Sequence, residues 1–187
     1  MKKLLKKSTK KNEKSAELIS AGGKVIDRKL LTIRDTLRSG DAGYIIYMHG
    51  WIYKKEQDYS TVFEGYVAQT FYEFLQSYDS GRDHLWVAEY DGQIVGCVGV
   101  MSRGERAQLR WFLLHPDYRG IGLGKRLLTT ALGFCREKGY KSVYLETTGN
   151  LETAIAMYTK AGFRKVAEKE NSLWRDGLIE VEMEMQL

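Results

Sequence analysis

The sequence has little cysteine and no long apolar run, and both shortages limit what the protein can be. Among 187 residues the two cysteines are Cys97 and Cys135, each inside an apolar pattern and without a neighbour at a metal-ligand spacing. This argues against a disulfide framework and a metal site, and we expect two reduced core residues, as in a cytoplasmic protein. No stretch approaches the length of a membrane span. The N-terminal lysines surround only Leu4 and Leu5, too short an apolar centre for a signal peptide.

What is present suffices for one globular domain, since 43% of the residues are hydrophobic. Positive charge is concentrated at the N-terminus. Residues 1–29 hold ten Lys and Arg and three acidic residues, which leaves 19 basic and 21 acidic residues elsewhere. We therefore predict a basic, mobile arm over residues 1–27 and a folded domain over residues 28–187. The arm could contact nucleic acid or an anionic surface, or serve only solubility; the slightly acidic remainder argues against a broad nucleic-acid-binding face.

One stretch, residues 109–125, organises the rest of the chain. Residues 109–114 form an apolar run typical of a buried strand, and Pro116, the one proline, cannot continue its hydrogen-bond ladder. A helical pattern starts near residue 125. Between strand and helix stand three glycines at alternate positions: Gly120, Gly122 and Gly124. Such a strand, turn and helix N-terminus form an anion site, because free backbone N–H groups converge and the helix dipole favours negative charge.

The spacing of these glycines distinguishes between phosphate-binding motifs. The dinucleotide fingerprint fails because Leu127 stands in place of its last glycine. A P-loop fails because Arg119 and Arg126 replace a glycine and a hydroxyl residue. What fits is Arg-x-x-Gly-x-Gly, from Arg119 to Gly124. Considered by itself, the loop could also be a glycine-rich turn without a ligand.

Turn and periodicity signals predict a mixed α/β chain without internal repeats. Two amphipathic helices, the first interrupted at His49-Gly50, precede a meander of three strands. The last strand of the meander leads through the glycine turn and a helix to a strand at residues 142–147, which a helical crossover makes parallel to it. One more helix and a final hairpin of two strands complete the chain.

Two segments resemble signatures of the GNAT superfamily of N-acetyltransferases. The Arg-x-x-Gly-x-Gly loop is similar to the family's acetyl-CoA pyrophosphate loop, and residues 154–163 are similar to its Ala-x-x-x-Tyr-x-Lys-x-Gly-Phe signature. The likeness covers roughly residues 30–187. The first half and the turn at residues 174–176 look most like GNAT domains fused to MarR-type regulators, without the MarR half. The resemblance implies an α+β fold: a central, mostly antiparallel twisted sheet of about seven strands, with helices on both faces and a parallel pair around the CoA cleft.

The resemblance also implies a function, the direct transfer of an acetyl group from acetyl-CoA to a primary amine within a ternary complex. Tyr158 would be the general acid for the departing thiolate. Gln108 stands where many relatives have a glutamate base, so Glu146 is the first substitute that we consider and Glu89 the second. The implied cofactor-binding residues belong to a strand end, the loop, the helix start, an asparagine and the tyrosine: Phe112, Leu113, Leu114, Arg119, Gly120, Ile121, Gly122, Leu123, Gly124, Lys125, Asn150 and Tyr158.

Other readings stay open. A catalytically silent acyl-CoA-binding sensor would keep the cofactor cleft without a base; the missing glutamate favours it and Tyr158 opposes it. A nucleic-acid-binding protein acting through its basic arm is a second alternative. For the enzyme, the acceptor is a small-molecule amine or a protein amine, a homodimer is compatible with the family, and neither a membrane nor nucleic acid is expected as a partner.

Overall fold

The structure is a computed structural model, and it describes residues 17–187. Residues 1–16, most of the predicted basic arm, lie outside the described residues. The strands are β1 (Glu17–Ile19), β2 (Val25–Asp27), β3 (Leu31–Arg34), β4 (His84–Tyr90), β5 (Gln93–Arg103), β6 (Arg106–Leu114), β7 (Ser142–Thr148), β8 (Arg164–Asn171) and β9 (Leu178–Gln186). The α-helices are α1 (Asp41–Gln57), α2 (Thr61–Ser77), α3 (Leu123–Glu137) and α4 (Glu152–Ala161).

Strands β3 to β9 form one seven-stranded sheet in the order β3-β4-β5-β6-β7-β9-β8. Neighbouring strands run antiparallel except β6 and β7, which are parallel. A parallel pair requires a crossover connection, and α3 provides it. Helices α1 and α2 pack on one face of the sheet, and α3 and α4 pack on the other. The predicted α+β fold, with about seven strands and one parallel pair, is confirmed.

Strand β6 changes the face of the sheet to which its apolar side chains point. Ala107 and Leu109 pack with α3 and α4, whereas Trp111 and Leu113 pack with α1 and α2. In a regular strand these four alternate residues would share one face. A β-bulge opposite Cys97–Gly99 breaks the alternation, and Trp111 adopts a left-handed backbone conformation there, with a φ of 47°. The bulge thus directs Trp111 toward the helices that cover the candidate site.

The two cysteines occupy separate core layers. Cys97 lies in the layer beneath α1 and α2, and Cys135 lies in the layer of α3 and α4. Both are fully buried and unpaired, which confirms them as core residues. Burial raises the pKa of both thiols, that of Cys135 to about 12, so neither has the thiolate character of a nucleophile.

Residues 17–27 form a β-hairpin that packs on the large sheet. Strands β1 and β2 are antiparallel, and Ile26 is fully buried in the layer of α3 and α4. The turn of the hairpin contacts the glycine loop, since the Ala21 N–H donates to the carbonyl oxygen of Arg119 at 2.8 Å. The folded part therefore includes residues 17–27, which the charge pattern places in the arm, because Ile26 anchors them to the core. The prediction of a mobile arm stays a prediction for residues 1–16, outside the described residues.

This anchoring predicts a clear loss of stability for Ile26→Ala. Removing a fully buried isoleucine side chain leaves a cavity, and we expect the free energy of unfolding to fall by about 3 kcal/mol. Ile19, in the same hairpin, is 72% exposed, so Ile19→Ala should change the free energy of unfolding by less than about 0.5 kcal/mol. Urea denaturation of both variants measures the difference. Equal effects would show that the hairpin does not pack on the core in solution.

Helix α1 runs without a break, so the predicted interruption at His49-Gly50 is wrong. One glycine costs a helix only about 1 kcal/mol, and packing on the sheet readily exceeds that cost. Gly50 leaves room for α2, because a Cβ built on it would lie 2.5 Å from a carboxylate oxygen of Glu64. His49 is buried in the same turn of the helix.

Across residues 17–187 no helix has the length and apolar character needed to cross a membrane.

Candidate active site

Strands β6 and β7 separate partway along their length and leave a cleft between them. Their parallel pairing ends at Leu109 and Leu145. Beyond these residues β6 stays paired with β5 as far as Leu114, and β7 stays paired with β9 as far as Thr148. The facing edges of the two strands therefore have backbone groups that no neighbouring strand satisfies. This cleft lies at the parallel pair, where the resemblance predicts the CoA site.

The open edge of β6 presents backbone donors to the cleft. Consecutive residues of a strand direct their backbone groups to opposite edges. Because the His115 N–H donates to the carbonyl oxygen of Val95 on β5 at 2.8 Å, the N–H groups of Phe112 and Leu114 point to the cleft instead. The carbonyl oxygen of Leu114 lies on the same edge and accepts a hydrogen bond from Arg119 Nε at 3.1 Å. Two unpaired donors on a rigid strand can bind or polarise a carbonyl group.

The glycine loop ends directly at the N-terminus of α3. Gly120 and Gly122 have left-handed φ angles of 82° and 81°, which residues with a Cβ adopt only with strain. Gly122 is the N-cap and provides no side-chain hydrogen bond, so the first N–H groups of α3 stay available. Gly124 faces the cavity described next, and a Cβ there would lie 3.2 Å from Leu114 Cδ1. The loop thus has the donors, the dipole and the open space of an anion site.

A cavity of about 580 Å³, the large cavity, lies between this loop, the open edge of β6, α1 and α4. Most of the residues predicted to bind the cofactor line it: Phe112, Leu113, Leu114, Arg119, Gly120, Gly122, Gly124, Lys125, Asn150 and Tyr158. Ile121 and Leu123 do not line it, and their side chains pack in the core layer of α3 and α4. For these two residues, only backbone atoms remain as candidates for cofactor contact.

The side chain of Arg119 supports the loop from within. Its guanidinium donates to both carboxylate oxygens of Glu56 on α1, each at 2.9 Å, in addition to its bond to Leu114. An arginine held by two partners in this way fixes the loop against α1 and β6. The arginine of the sequence motif therefore fixes the shape of the loop, and the glycines leave the backbone N–H groups of the loop accessible.

A second cavity of about 120 Å³, the small cavity, adjoins the large one beneath α1 and α2. Its walls are mainly aromatic: His49, Tyr53, Tyr59, Phe63, Tyr66, Trp111, Phe112, Tyr158 and Trp174. Charged side chains complete it: Arg110, Glu146 and Glu180. Five residues line both cavities: Tyr53, Phe112, Leu151, Ala154 and Tyr158. The two cavities are therefore neighbours that share part of their walls.

Tyr158 lies where the two cavities meet. Its ring packs between Phe112 and Phe163, at centroid distances of 6.1 and 5.8 Å. Its hydroxyl makes no hydrogen bond with any residue between 17 and 187. Burial, followed by the nearby Tyr53, raises the pKa of Tyr158 above its ordinary value, so the hydroxyl keeps its proton at neutral pH. The structure thus provides a neutral proton donor without a protein partner.

Glu146 lines the small cavity together with Tyr158, as its predicted role requires. Its carboxylate accepts a hydrogen bond from Gln108 Nε2 at 3.1 Å and lies 3.5 Å from the Arg110 guanidinium. Gln108, at the strand position where a glutamate was expected, therefore contacts the substitute carboxylate directly. The Glu146 side chain is 39% exposed, so water also reaches it.

Glu89, the second candidate base, lies elsewhere. Its carboxylate accepts a hydrogen bond from Arg34 Nε at 2.7 Å, and Arg34 also pairs with Asp41 at the start of α1. Glu89 lines neither cavity. It belongs to a buried ion-pair network that joins β3, β4 and α1.

Within residues 17–187 no cluster of side chains has the composition and spacing of a metal site.

Helix α1 brings polar side chains to the small cavity that the sequence patterns do not predict as site residues. His49 is 4% exposed and lines that cavity, and Tyr53, one turn later, lines both. A signal existed, because His49 follows Ile45 by four residues and precedes Ile52 by three, which places all three on one helix face. What the face contacts could not be inferred from that spacing.

Comparison with known proteins shows which family the chain resembles in sequence. The sequence model of the acetyltransferase (GNAT) family matches residues 48–163. An uncharacterized N-acetyltransferase of Escherichia coli, YjgM, is 38% identical over 98 residues, which are 50% of this chain and 59% of that protein. Human N-acetyltransferase 8B is 34% identical over 96 residues, 48% of this chain and 42% of that protein. The match thus spans about half the length of these curated relatives.

Solved structures share the fold. A GNAT family acetyltransferase from Elizabethkingia anophelis, with acetyl-CoA bound, has a TM-score of 0.62 and 18% identity, over 84% of this chain and 99% of that one. An acetyltransferase of the GNAT family from Staphylococcus aureus has a TM-score of 0.67 and 20% identity, over 84% and 99%. The ribosomal-protein-S18-alanine N-acetyltransferase from Escherichia coli has a TM-score of 0.61 and 19% identity, over 83% and 93%. At these identities the likeness concerns the fold.

Proposed function

This chain belongs to the GNAT family of acetyltransferases, and we propose that it transfers an acetyl group from acetyl-CoA to a primary amine by direct attack within a ternary complex. The observation that carries the proposal is the meeting of the two cavities at Tyr158 and Phe112. A cofactor in the large cavity and an amine in the small cavity would have their reactive ends side by side. Holding two reactants in this way removes much of the entropic cost of a bimolecular reaction.

The large cavity fits acetyl-CoA. The N–H groups from Arg119 to Gly124 and the start of α3 would bind the pyrophosphate, in the space that a Cβ at Gly124 would reduce. The open edge of β6 would hold the pantetheine arm, and Asn150 lies on the opposite wall. When bound, acetyl-CoA supplies the acetyl group as a reactive thioester.

Three groups of this chain would then serve the transfer. The N–H of Phe112 or Leu114 is a preorganised donor for the negative charge that develops on the acetyl oxygen. The Tyr158 hydroxyl would give its proton to the departing sulfur. Glu146 would take a proton from the amine, and freeing a lysine-like amine with a pKa of about 10.4 costs roughly 4.6 kcal/mol at pH 7.

The experiment that tests the proposal is release of CoA thiol from acetyl-CoA in the presence of a panel of primary amines. Benzylamine, spermidine and a lysine-containing peptide represent aromatic, polycationic and protein acceptors. We expect amine-dependent thiol release and an acetylated product by mass spectrometry with at least one of them. Calorimetry of acetyl-CoA binding runs in parallel. It separates a protein that binds acetyl-CoA without transferring the acetyl group from a protein that does not bind the cofactor.

A second candidate, a catalytically silent acyl-CoA sensor, has one observation in its favour. Gln108 cannot accept a proton, and the carboxylate of Glu146 already contacts the Gln108 amide at 3.1 Å and the Arg110 guanidinium at 3.5 Å. Tight acetyl-CoA binding without thiol release across the panel would support the sensor.

We propose a cytoplasmic location for the protein, whether it is an enzyme or a sensor, since two buried thiols in separate layers suit a reducing compartment.

The role of Glu146 predicts the effect of Glu146→Gln. We expect kcat/KM for the amine to fall about tenfold near pH 7, less than the hundredfold or more of a lone general base, because water reaches this exposed carboxylate and replaces it in part. Glu182→Gln is the matched control. Glu182 is the direct cross-strand neighbour of Glu146 on β9 but does not line the small cavity. If both variants retain wild-type kcat/KM, the amine loses its proton to another group.

A further inference from the structure

His49 is held in one orientation by its own helix. Its Nδ1 lies 2.8 Å from the carbonyl oxygen of Ile45. A carbonyl oxygen only accepts hydrogen bonds, so Nδ1 carries the proton and donates it. In a neutral imidazole the other nitrogen, Nε2, then has a free lone pair. Nε2 makes no hydrogen bond with any residue of the described part of the chain.

This free acceptor belongs to the small cavity. His49 lines the small cavity and not the large one, and its ring lies parallel to that of Tyr53, with 6.1 Å between centroids and an interplanar angle of 7°. Tyr53 lines both cavities, and so does Tyr158. His49 thus lies beside the place where an acceptor would meet the cofactor, but away from the cofactor itself.

Several other polar side chains of the small cavity are already engaged by neighbouring residues. The Arg110 guanidinium donates to the Tyr66 hydroxyl at 3.0 Å and has no acceptor atom. The Tyr59 hydroxyl pairs with the Thr148 hydroxyl at 2.6 Å. Glu180 accepts from Asn171 and forms an ion pair with Lys169. Apart from hydroxyl groups, two side-chain acceptors therefore remain for a ligand: the partly exposed carboxylate of Glu146 and Nε2 of His49.

His49 stays neutral under ordinary conditions. Burial, together with the positive charge of Arg110, lowers the pKa of His49 to about 4. A group that resists protonation so strongly cannot keep a proton taken from an alkyl ammonium, whose pKa is about 10. It can, however, accept a hydrogen bond throughout the neutral range. Its chemistry is that of a fixed acceptor for an N–H group.

We propose that Nε2 of His49 binds the acceptor amine by accepting a hydrogen bond from one of its N–H groups. This inference rests on the proposed function. A primary amine held by one N–H on the α1 side keeps a second N–H for Glu146 or water and its lone pair for the acetyl carbon. His49 would therefore orient the nucleophile, and Glu146 would receive the proton. A buried N–H of the substrate would otherwise lose its hydrogen bond to water without replacement.

Two substitutions test this role. His49→Phe keeps a planar ring in the stack with Tyr53 but removes the acceptor. His49→Gln places an amide oxygen near the position of Nε2 and keeps the acceptor. With the fastest amine of the panel, we expect kcat/KM to fall roughly ten- to hundredfold in His49→Phe and to stay within about fivefold of wild type in His49→Gln. The KM for acetyl-CoA should not change in either, because His49 does not line the large cavity.

Three possible results show whether His49 binds the acceptor amine. Recovery by glutamine but not by phenylalanine, at equal melting temperatures, supports the hydrogen bond, since loss of packing alone would not distinguish the variants in this way. A His49→Phe variant with wild-type kcat/KM, or a glutamine variant no better than the phenylalanine one, overturns the inference and leaves the proposed function intact. Absence of thiol release from the wild-type protein with every amine of the panel overturns both.

Discussion

Gly124→Glu is expected to raise the dissociation constant for acetyl-CoA at least about a hundredfold, which corresponds to ~2.7 kcal/mol of binding free energy. Gly124 faces the large cavity in the first turn of α3, where the pyrophosphate of the cofactor would lie. Glutamate would place both bulk and negative charge in that space. Electrostatic repulsion of the pyrophosphate and loss of access to the N–H groups both weaken the binding of acetyl-CoA.

The fold should survive this substitution. Gly124 has no left-handed φ angle, and its Cβ would meet a movable side-chain atom, Leu114 Cδ1, at 3.2 Å. The first turn of α3 contains no acidic residue, and a negative charge there interacts favourably with the helix dipole. Gly122→Glu should also abolish binding, but it adds backbone strain at a φ of 81° and is less suitable for measuring the charge effect.

Gly133→Glu is the matched control for this prediction. Gly133 lies on the same helix, a Cβ there meets no atom within 4 Å, and the residue does not line the large cavity. Calorimetric titration with acetyl-CoA should give wild-type affinity for Gly133→Glu and no measurable binding for Gly124→Glu. Wild-type affinity in a folded Gly124→Glu variant would show that the glycine loop is not part of the cofactor site.

Tyr158→Phe is expected to lower kcat roughly a hundredfold, as for a missing general acid, without weakening acetyl-CoA binding. The substitution removes one hydroxyl, which makes no hydrogen bond with the described residues, and keeps the ring contacts with Phe112 and Phe163. The loss should not be larger, because a thiolate whose thiol has a pKa of about 8.5 is a fair leaving group without assistance.

The corresponding control removes a hydroxyl far from both cavities. Tyr140 is 3% exposed, and its hydroxyl donates to the carbonyl oxygen of Arg82 at 2.7 Å. Tyr140→Phe should cost about 1 kcal/mol of stability and leave kcat unchanged. Thiol release at saturating acetyl-CoA, measured across pH for both variants, separates the two effects. A kcat of Tyr158→Phe within about twofold of wild type would mean that Tyr158 is only a core residue and that the departing thiolate takes its proton from solvent.

Much of the framework could be predicted from local patterns. The apolar run before the glycine loop, the loop itself and the periodicity of α3 lie within about thirty residues, and each depends on near neighbours along the chain. The parallel pairing of β6 and β7 follows from the helical crossover between them. For the same reason most of the predicted cofactor residues line one cavity: the motif is continuous, and its backbone geometry is local.

Predictions that depended on distant contacts were less successful. The break predicted at His49-Gly50 does not occur in α1, because packing of the helix on the sheet outweighs the weak helix preference of one glycine. The charge pattern predicts an arm that includes residues 17–27, but the buried Ile26 and the hydrogen bond from Ala21 to Arg119 fix them to the domain. Ile121 and Leu123 lie within the motif, yet their side chains pack in the core layer of α3 and α4 and do not line the large cavity.

Local patterns along the chain are therefore enough to predict the family, the order of strands and helices and the glycine loop, since these depend on backbone conformation and on residues close in the chain. Which polar groups share the small cavity depends on the tertiary structure. His49, Glu146 and Tyr158 come from three separate elements and meet because β6 and β7 diverge beneath α1. That divergence follows from the bulge at Trp111 and from the helices packed on both faces of the sheet. Such long-range packing leaves no periodic signal along the chain.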